Sequence, residues 1–190
     1  MEYYYTEHGN ISSEEKKLVI TGMEHRHLIK VLRKSKGDKI DVTDGILNVY
    51  HCKISEITKD SITCEIISEQ HNIYEPRTDV NLFMAPLRNL SRFEFAIEKA
   101  VELGVKSINP VITEFTVAKE QFSVSKMARF RKIIISAMEQ SQRCFLPEMH
   151  NSVNFRELLV KSGSSKNKVV LYESAGSDEK AIPLNEKEIN

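Results

Sequence analysis

Two hydrophobic periodicities divide this chain. Up to Ile67 apolar and polar residues alternate. Lys39 to Thr43 turns Ile40 and Val42 to one side, Asp44-Gly45 marks a tight turn, and the period of two resumes over Ile46 to Ile57 and Ser61 to Ile67, across a Lys59-Asp60 turn. Such a pattern predicts a small antiparallel sheet or barrel with one buried face. From Val80 onward, short apolar runs alternate with stretches of period three to four. Val80 to Ala85, Ser107 to Ile112 and Lys168 to Glu173 read as buried strands, with helices starting at Ser91 and near Ser125 between them. Alternating strands and helices predict a parallel sheet in an α/β domain, whose ligands bind beyond the carboxyl ends of the strands. The loops after Ala85, Ile112 and Tyr172, with Arg88, Glu114 and Glu173 in or beside them, are therefore the places to look. Glu69 to Asp79 is polar, contains Pro76 and reads as the linker.

The two helices carry unusual polar content. Ser91 with Glu94 three residues later reads as a capping box, and Leu90 and Phe95 as the flanking staple. Phe93, Ile97, Ala100 and Leu103 form its apolar face, and Gly104 ends it. Glu94, Glu98 and Glu102 fall on one stripe, a like-charge arrangement that calls for a facing cation. On the second helix Met127, Phe130, Ile134, Ala137 and Ser141 face inward. Lys126, Arg129, Lys132, Ser136, Gln140 and Arg143 trace the other side. Glu98 and Arg143 are the expected buried ion pair between the helices. The phrases Glu98 to Val105 and Ala137 to Arg143 are the most site-like in the chain, with more kinds of hydrogen-bonding group than a solvated face requires.

Composition narrows the partners. The chain has 190 residues, 27 basic and 27 acidic, so no global field favours nucleic acid. Between residues 24 and 39, however, Arg26, Lys30, Arg33, Lys34, Lys36 and Lys39 face only Glu24 and Asp38. Arg26, Lys30 and Arg33 at spacings of four and three predict one basic helix face able to neutralise phosphates, with Ile29 and Leu32 turned to the core. Cys52, Cys64 and Cys144 lack ligand or Cys-x-x-Cys spacing and read as small buried residues, with no metal site. There is neither a membrane-length apolar run nor a secretory leader, and a cytoplasmic address is expected. A nucleotide-binding enzyme of another class is disfavoured, because no Gly-x-Gly-x-x-Gly or Walker loop occurs.

The ordered set His27-Leu28, Val31-Leu32-Arg33, Gly37-Asp38, Glu98-Lys99-Ala100, Glu102 to Val105, Pro110, Glu139-Gln140-Ser141, Arg143 and Pro147 resembles the RsmE-type 16S ribosomal RNA (uracil-N3) methyltransferases of the SPOUT superfamily. The resemblance covers roughly residues 1 to 175. It implies an N-terminal PUA-like RNA-binding β-barrel over residues 1–70, a linker over 71–79 and a SPOUT α/β methyltransferase domain over 80–190. It also implies S-adenosylmethionine as cofactor, 16S ribosomal RNA or the small subunit as partner, and a homodimer built on a C-terminal trefoil knot. The family's Gly-Pro-Glu-Gly-Gly loop and its later Leu-Gly segment do not occur in this sequence, so the knot is expected to be incomplete here. Under the resemblance Leu171, Tyr172 and Glu173 lie near the cofactor, Arg26, His27, Lys30, Arg33 and Arg88 meet RNA, and Arg88, Glu98 and Arg143 are the catalytic candidates. No proton acceptor is assigned. The alternative is a non-catalytic RNA-binding protein that keeps the fold without the cofactor pocket.

Overall fold

A computed structural model describes residues 2–116 and 121–171. The first half forms a six-stranded sheet from β1 (Tyr3–Tyr5), β2 (Ile11–Ser12), β3 (Lys17–Thr21), β4 (Lys39–Thr43), β5 (Asn48–Ile57) and β6 (Ser61–His71). Its strand order is β1-β4-β5-β6-β3-β2, with β1 parallel to β4 and every other pair antiparallel. The predicted alternation lies on one face: Leu18, Ile20, Ile40, Val42, Cys52, Ile54, Ile62 and Cys64 form the core, with Tyr4 and Tyr50. Asp44 makes the β4–β5 turn by accepting from the Ile46 and Asn48 amides, and Gly45 and Leu47 take the positive φ that the turn demands.

Between β3 and β4 the basic segment folds as a short helix, α1 (Gly22–Arg26), which widens into one π-helical turn over His27–Val31. Arg33 then lies outside the helix at φ 54°. The predicted single face is therefore corrected. A wider turn changes the angular spacing, so Leu28 enters the core at 0% exposure while Leu32 stays 38% exposed, and Arg33 belongs to the following loop.

The second half carries β7 (Asn81–Met84), α2 (Leu90–Glu102), β8 (Ser107–Ile112), α3 (Val124–Gln140), β9 (Glu148–Met149), β10 (Val153–Asn154) and α4 (Phe155–Lys161). All pairings are parallel. β8 lies between β7 on one side and β9 followed by β10 on the other. Phe93, Ile97 and Val101 of α2 pack on Ile108 of β8 and on Phe130, Ile134, Ala137 and Met138 of α3. Phe93, Phe122 and Phe130 meet in tilted and edge-on pairs with centroids 4.9–5.7 Å apart.

Three local expectations differ here. Asn89, not Ser91, caps α2 by accepting from the Ser91 amide, because the helix starts at Leu90; Glu94 is drawn instead to a cation on α3. Leu103 is 84% exposed and Val101 takes its place inside, since the helix closes at Glu102 and its last turn points Leu103 outward. The third expected strand does not form over the described residues 168–171, where Val169, Val170 and Leu171 are exposed. Tyr172 and Glu173 lie outside the described residues.

Candidate functional site

Helices α2 and α3 both end in a Schellman motif. In α2, Gly104 at φ 93° turns the chain, and the Gly104 and Val105 amides donate to the Val101 and Ala100 carbonyls. In α3, Gln142 at φ 57° does the same, with the Gln142 and Arg143 amides donating to the Glu139 and Met138 carbonyls. That second reversal aims Arg143 at the end of α2. Its Nη1 donates to the Val101 and Val105 carbonyls at 3.0 and 2.9 Å, supplying a cation at the negative end of the helix dipole. Its Nε and Nη2 donate to Glu75 Oε2 at 3.1 and 2.7 Å, with both side chains about 5% exposed. The other Glu75 oxygen accepts from the Cys144 and Phe145 amides. The expected Glu98–Arg143 pair does not form. Lys99 instead bridges Glu98 and Glu102 at 2.8 Å each, and the cation facing the acidic stripe is Arg129, 2.6 Å from Glu94.

Arg143 thus fastens α2, the chain after α3 and the stretch before β7. Glu75 gave no signal in sequence, since its partner lies 68 residues away in a segment with no periodicity.

Glu139, from the same phrase, is buried and points the other way, towards the six-stranded sheet. Its Oε1 accepts the Tyr5 amide at 2.8 Å, and the Glu24 carboxyl of α1 reaches it from the opposite wall. Burial, then the nearby Glu24, pushes the Glu139 carboxyl up to about 9, and burial raises Glu24 as well. Two carboxyls crowded in this way hold a proton between them at neutral pH. His27 lines the same cleft, while Arg26, Lys30 and Arg33 are exposed along its α1 side and in the loop beyond.

Arg88 is exposed in the 85–89 loop, beyond the carboxyl end of β7 and just ahead of the Asn89 cap. At the neighbouring strand end the Thr113 amide donates to Thr116 Oγ1 at 2.9 Å, and the Gln121 side chain pairs with the Ser152 backbone in both directions. Leu171 is 95% exposed. The structure accordingly gathers Arg88 and the 113–116 loop at one sheet end, places His27 with Glu24 and Glu139 in the interdomain cleft, and leaves Glu98 and Arg143 elsewhere on the helix pair. Among the described residues no group of three or more His, Cys, Asp or Glu is set to hold a metal, and no helix is long and apolar enough to cross a membrane.

A six-stranded, PUA-like sheet joined to a parallel α/β unit through its β4–β5 turn and its first strand defines a two-domain protein of α/β class. The "RNA methyltransferase PUA domain" family matches residues 20–67, and the "RNA methyltransferase domain" family matches residues 74–189. The chain belongs to the RNA methyltransferase domain family. It is 29% identical over 165 residues to the ribosomal RNA small subunit methyltransferase E of Aquifex aeolicus, covering 85% of this chain and 68% of that one. It is 32% identical over 148 residues to the protein of that name from Synechocystis sp., covering 77% and 47%. The crystal structure of ribosomal RNA small subunit methyltransferase E from Neisseria gonorrhoeae, bound to S-adenosyl methionine, superposes with a TM-score of 0.73 at 28% identity, covering 84% of this chain and 64% of that one. The chain spans between about half and two thirds of the length of these relatives.

Proposed function

We propose that the protein to which this chain belongs methylates the N3 position of a uridine in 16S ribosomal RNA, with S-adenosylmethionine as methyl donor. Membership of the RNA methyltransferase domain family, behind a matching PUA domain, carries this reading. In it, residues 1–70 close into a PUA-like barrel, 71–79 link, and 80–190 belong to a methyltransferase domain that acts as a cytoplasmic homodimer through a trefoil knot. N3 lies on the Watson–Crick edge and carries a proton, so the nucleotide must be unpaired and the proton removed before the methyl group is accepted. Arg26, His27, Lys30 and Arg33 hold RNA, and Arg88, beside the carboxyl end of β7, meets a phosphate or a ring oxygen. The cofactor is placed against Leu171, Tyr172 and Glu173. Leu171 is exposed, and Tyr172 and Glu173 lie outside the described residues.

The second reading is a module that binds RNA without cofactor. Small subunits lacking the modification, incubated with the protein and labelled S-adenosylmethionine, separate the two. N3-methyluridine in the digested RNA, with saturable calorimetric binding of the cofactor, is the expected result. RNA binding with neither signal establishes the module instead.

A further inference from the structure

We propose that the cleft between the two domains is a pocket for an unpaired RNA base that carries an exocyclic amino group, held on its amino edge by Glu24 and Glu139. The proposal rests on the RNA-binding reading above and deepens it.

The cleft has a volume of about 530 Å³ and is walled by α1 on one side and α3 on the other, with β1 at its floor. That volume lies within the range of small-molecule sites and accommodates a nucleoside. Its charges are segregated. Glu24 and Glu139 lie inside, Glu2 and Glu7 line the same space, and the cation of the α3 wall is Lys132. Outside, Arg26 and Lys30 are exposed on the helical segment that supplies Glu24 and His27. An acidic interior repels phosphate while the basic surroundings attract it, so a strand crossing here keeps its backbone outside and turns a base in.

The interior also selects the base. Glu139 Oε1 is occupied by the Tyr5 amide, and the Glu24 carboxyl meets Glu139 across the cleft, so the oxygens left over are chiefly acceptors. Cytosine, adenine and guanine each present an amino group that donates to such oxygens. Uracil offers one ring N–H flanked by two carbonyls, which face the carboxyl oxygens acceptor to acceptor. Discrimination by the amino group is thus built into the two walls, and cytosine against uracil isolates it because the two rings have the same size.

The test is fluorescence anisotropy with oligocytidine and oligouridine of equal length at constant pH and salt. The expected result is tighter binding of oligocytidine by about tenfold. Glu139→Gln and, independently, Glu24→Gln narrow the gap, because an amide donates to the uracil carbonyl. Ser136→Trp, which fills the cleft from the exposed side of α3, removes the preference and leaves salt-dependent binding of both oligomers. Equal binding of the two oligomers by the wild type, or a preference that survives in all three variants, overturns the pocket while RNA binding stands. Failure of the wild type to bind either oligomer overturns the RNA reading on which the pocket rests. Free cytidine that binds as tightly as the oligomer assigns the cleft to nucleosides and overturns its role in RNA recognition.

Discussion

Glu139 holds the first strand of the other domain by accepting the Tyr5 amide, and it does so as a buried acid facing Glu24. Its raised pKa makes a definite pH prediction. In the unfolded chain the group ionises in the ordinary glutamate range, near 4.5, whereas in the fold it stays protonated up to about 9. The folded state therefore binds the extra proton between those values. Stability from this group is fully present below the unfolded pKa and is lost as pH rises through the folded one. The melting temperature should fall between about pH 5 and pH 9, and Glu139→Gln, which keeps the acceptor for Tyr5, should flatten that decline. Scanning calorimetry at several pH values checks it. A residue-type argument could mark the phrase 139–143 as chemically rich, but it could not know that Glu139 turns to the first strand of the other domain while Arg143 turns to the end of α2.

At the level of elements, helix α2 illustrates how little separates a correct boundary from a wrong cap. Gly104 was legible as the terminator, because a left-handed residue after an apolar periodic run is most easily a glycine. It is also a close approach: a Cβ built there would stand 2.3 Å from the Pro76 Cγ, at φ 93°. Gly104→Ala should destabilise the protein by more than about 1 kcal/mol, a loss that urea denaturation resolves. At the start of the same helix Ser91 and Glu94 have capping-box spacing, yet Asn89, two residues earlier, is the residue that accepts the Ser91 amide. α4 starts on a full capping box of Asn154 and Glu157, but its seven residues are too few to show a clear apolar period.

For the whole molecule, the connection between domains is the decisive feature. The Leu47 amide and the Thr43 hydroxyl donate to the Cys144 carbonyl, the Leu146 amide donates to Gly45, and Tyr3, Val49 and Cys144 share a small core. The Arg143–Glu75 pair locks the segment that supplies these contacts. Removing one partner of a buried pair leaves the other charge without compensation, at about 3–5 kcal/mol. Arg143→Met should therefore lower the unfolding free energy by that order, seen as a lower urea midpoint. It should also separate the unfolding of the six-stranded sheet from that of the parallel sheet; tyrosine fluorescence and far-ultraviolet circular dichroism, compared across one titration, should coincide in the wild type and diverge in the variant.

What the amino-acid sequence determined by itself is whatever depends on residues within a few positions of one another. The period of two in β4, β5 and β6, the strand Ser107–Ile112, the end of α2 and the basic run ahead of β4 all follow from local sterics and from which side chains avoid water. The tertiary structure alone decided the π-turn that moves Leu28 inward, the pairing of Arg143 with Glu75 rather than Glu98, and the meeting of Glu24 with Glu139 across the cleft. Those arrangements join residues tens of positions apart. Their energies come from burial and from hydrogen bonds in a dry interior, and which groups share that interior is settled only when the two sheets pack.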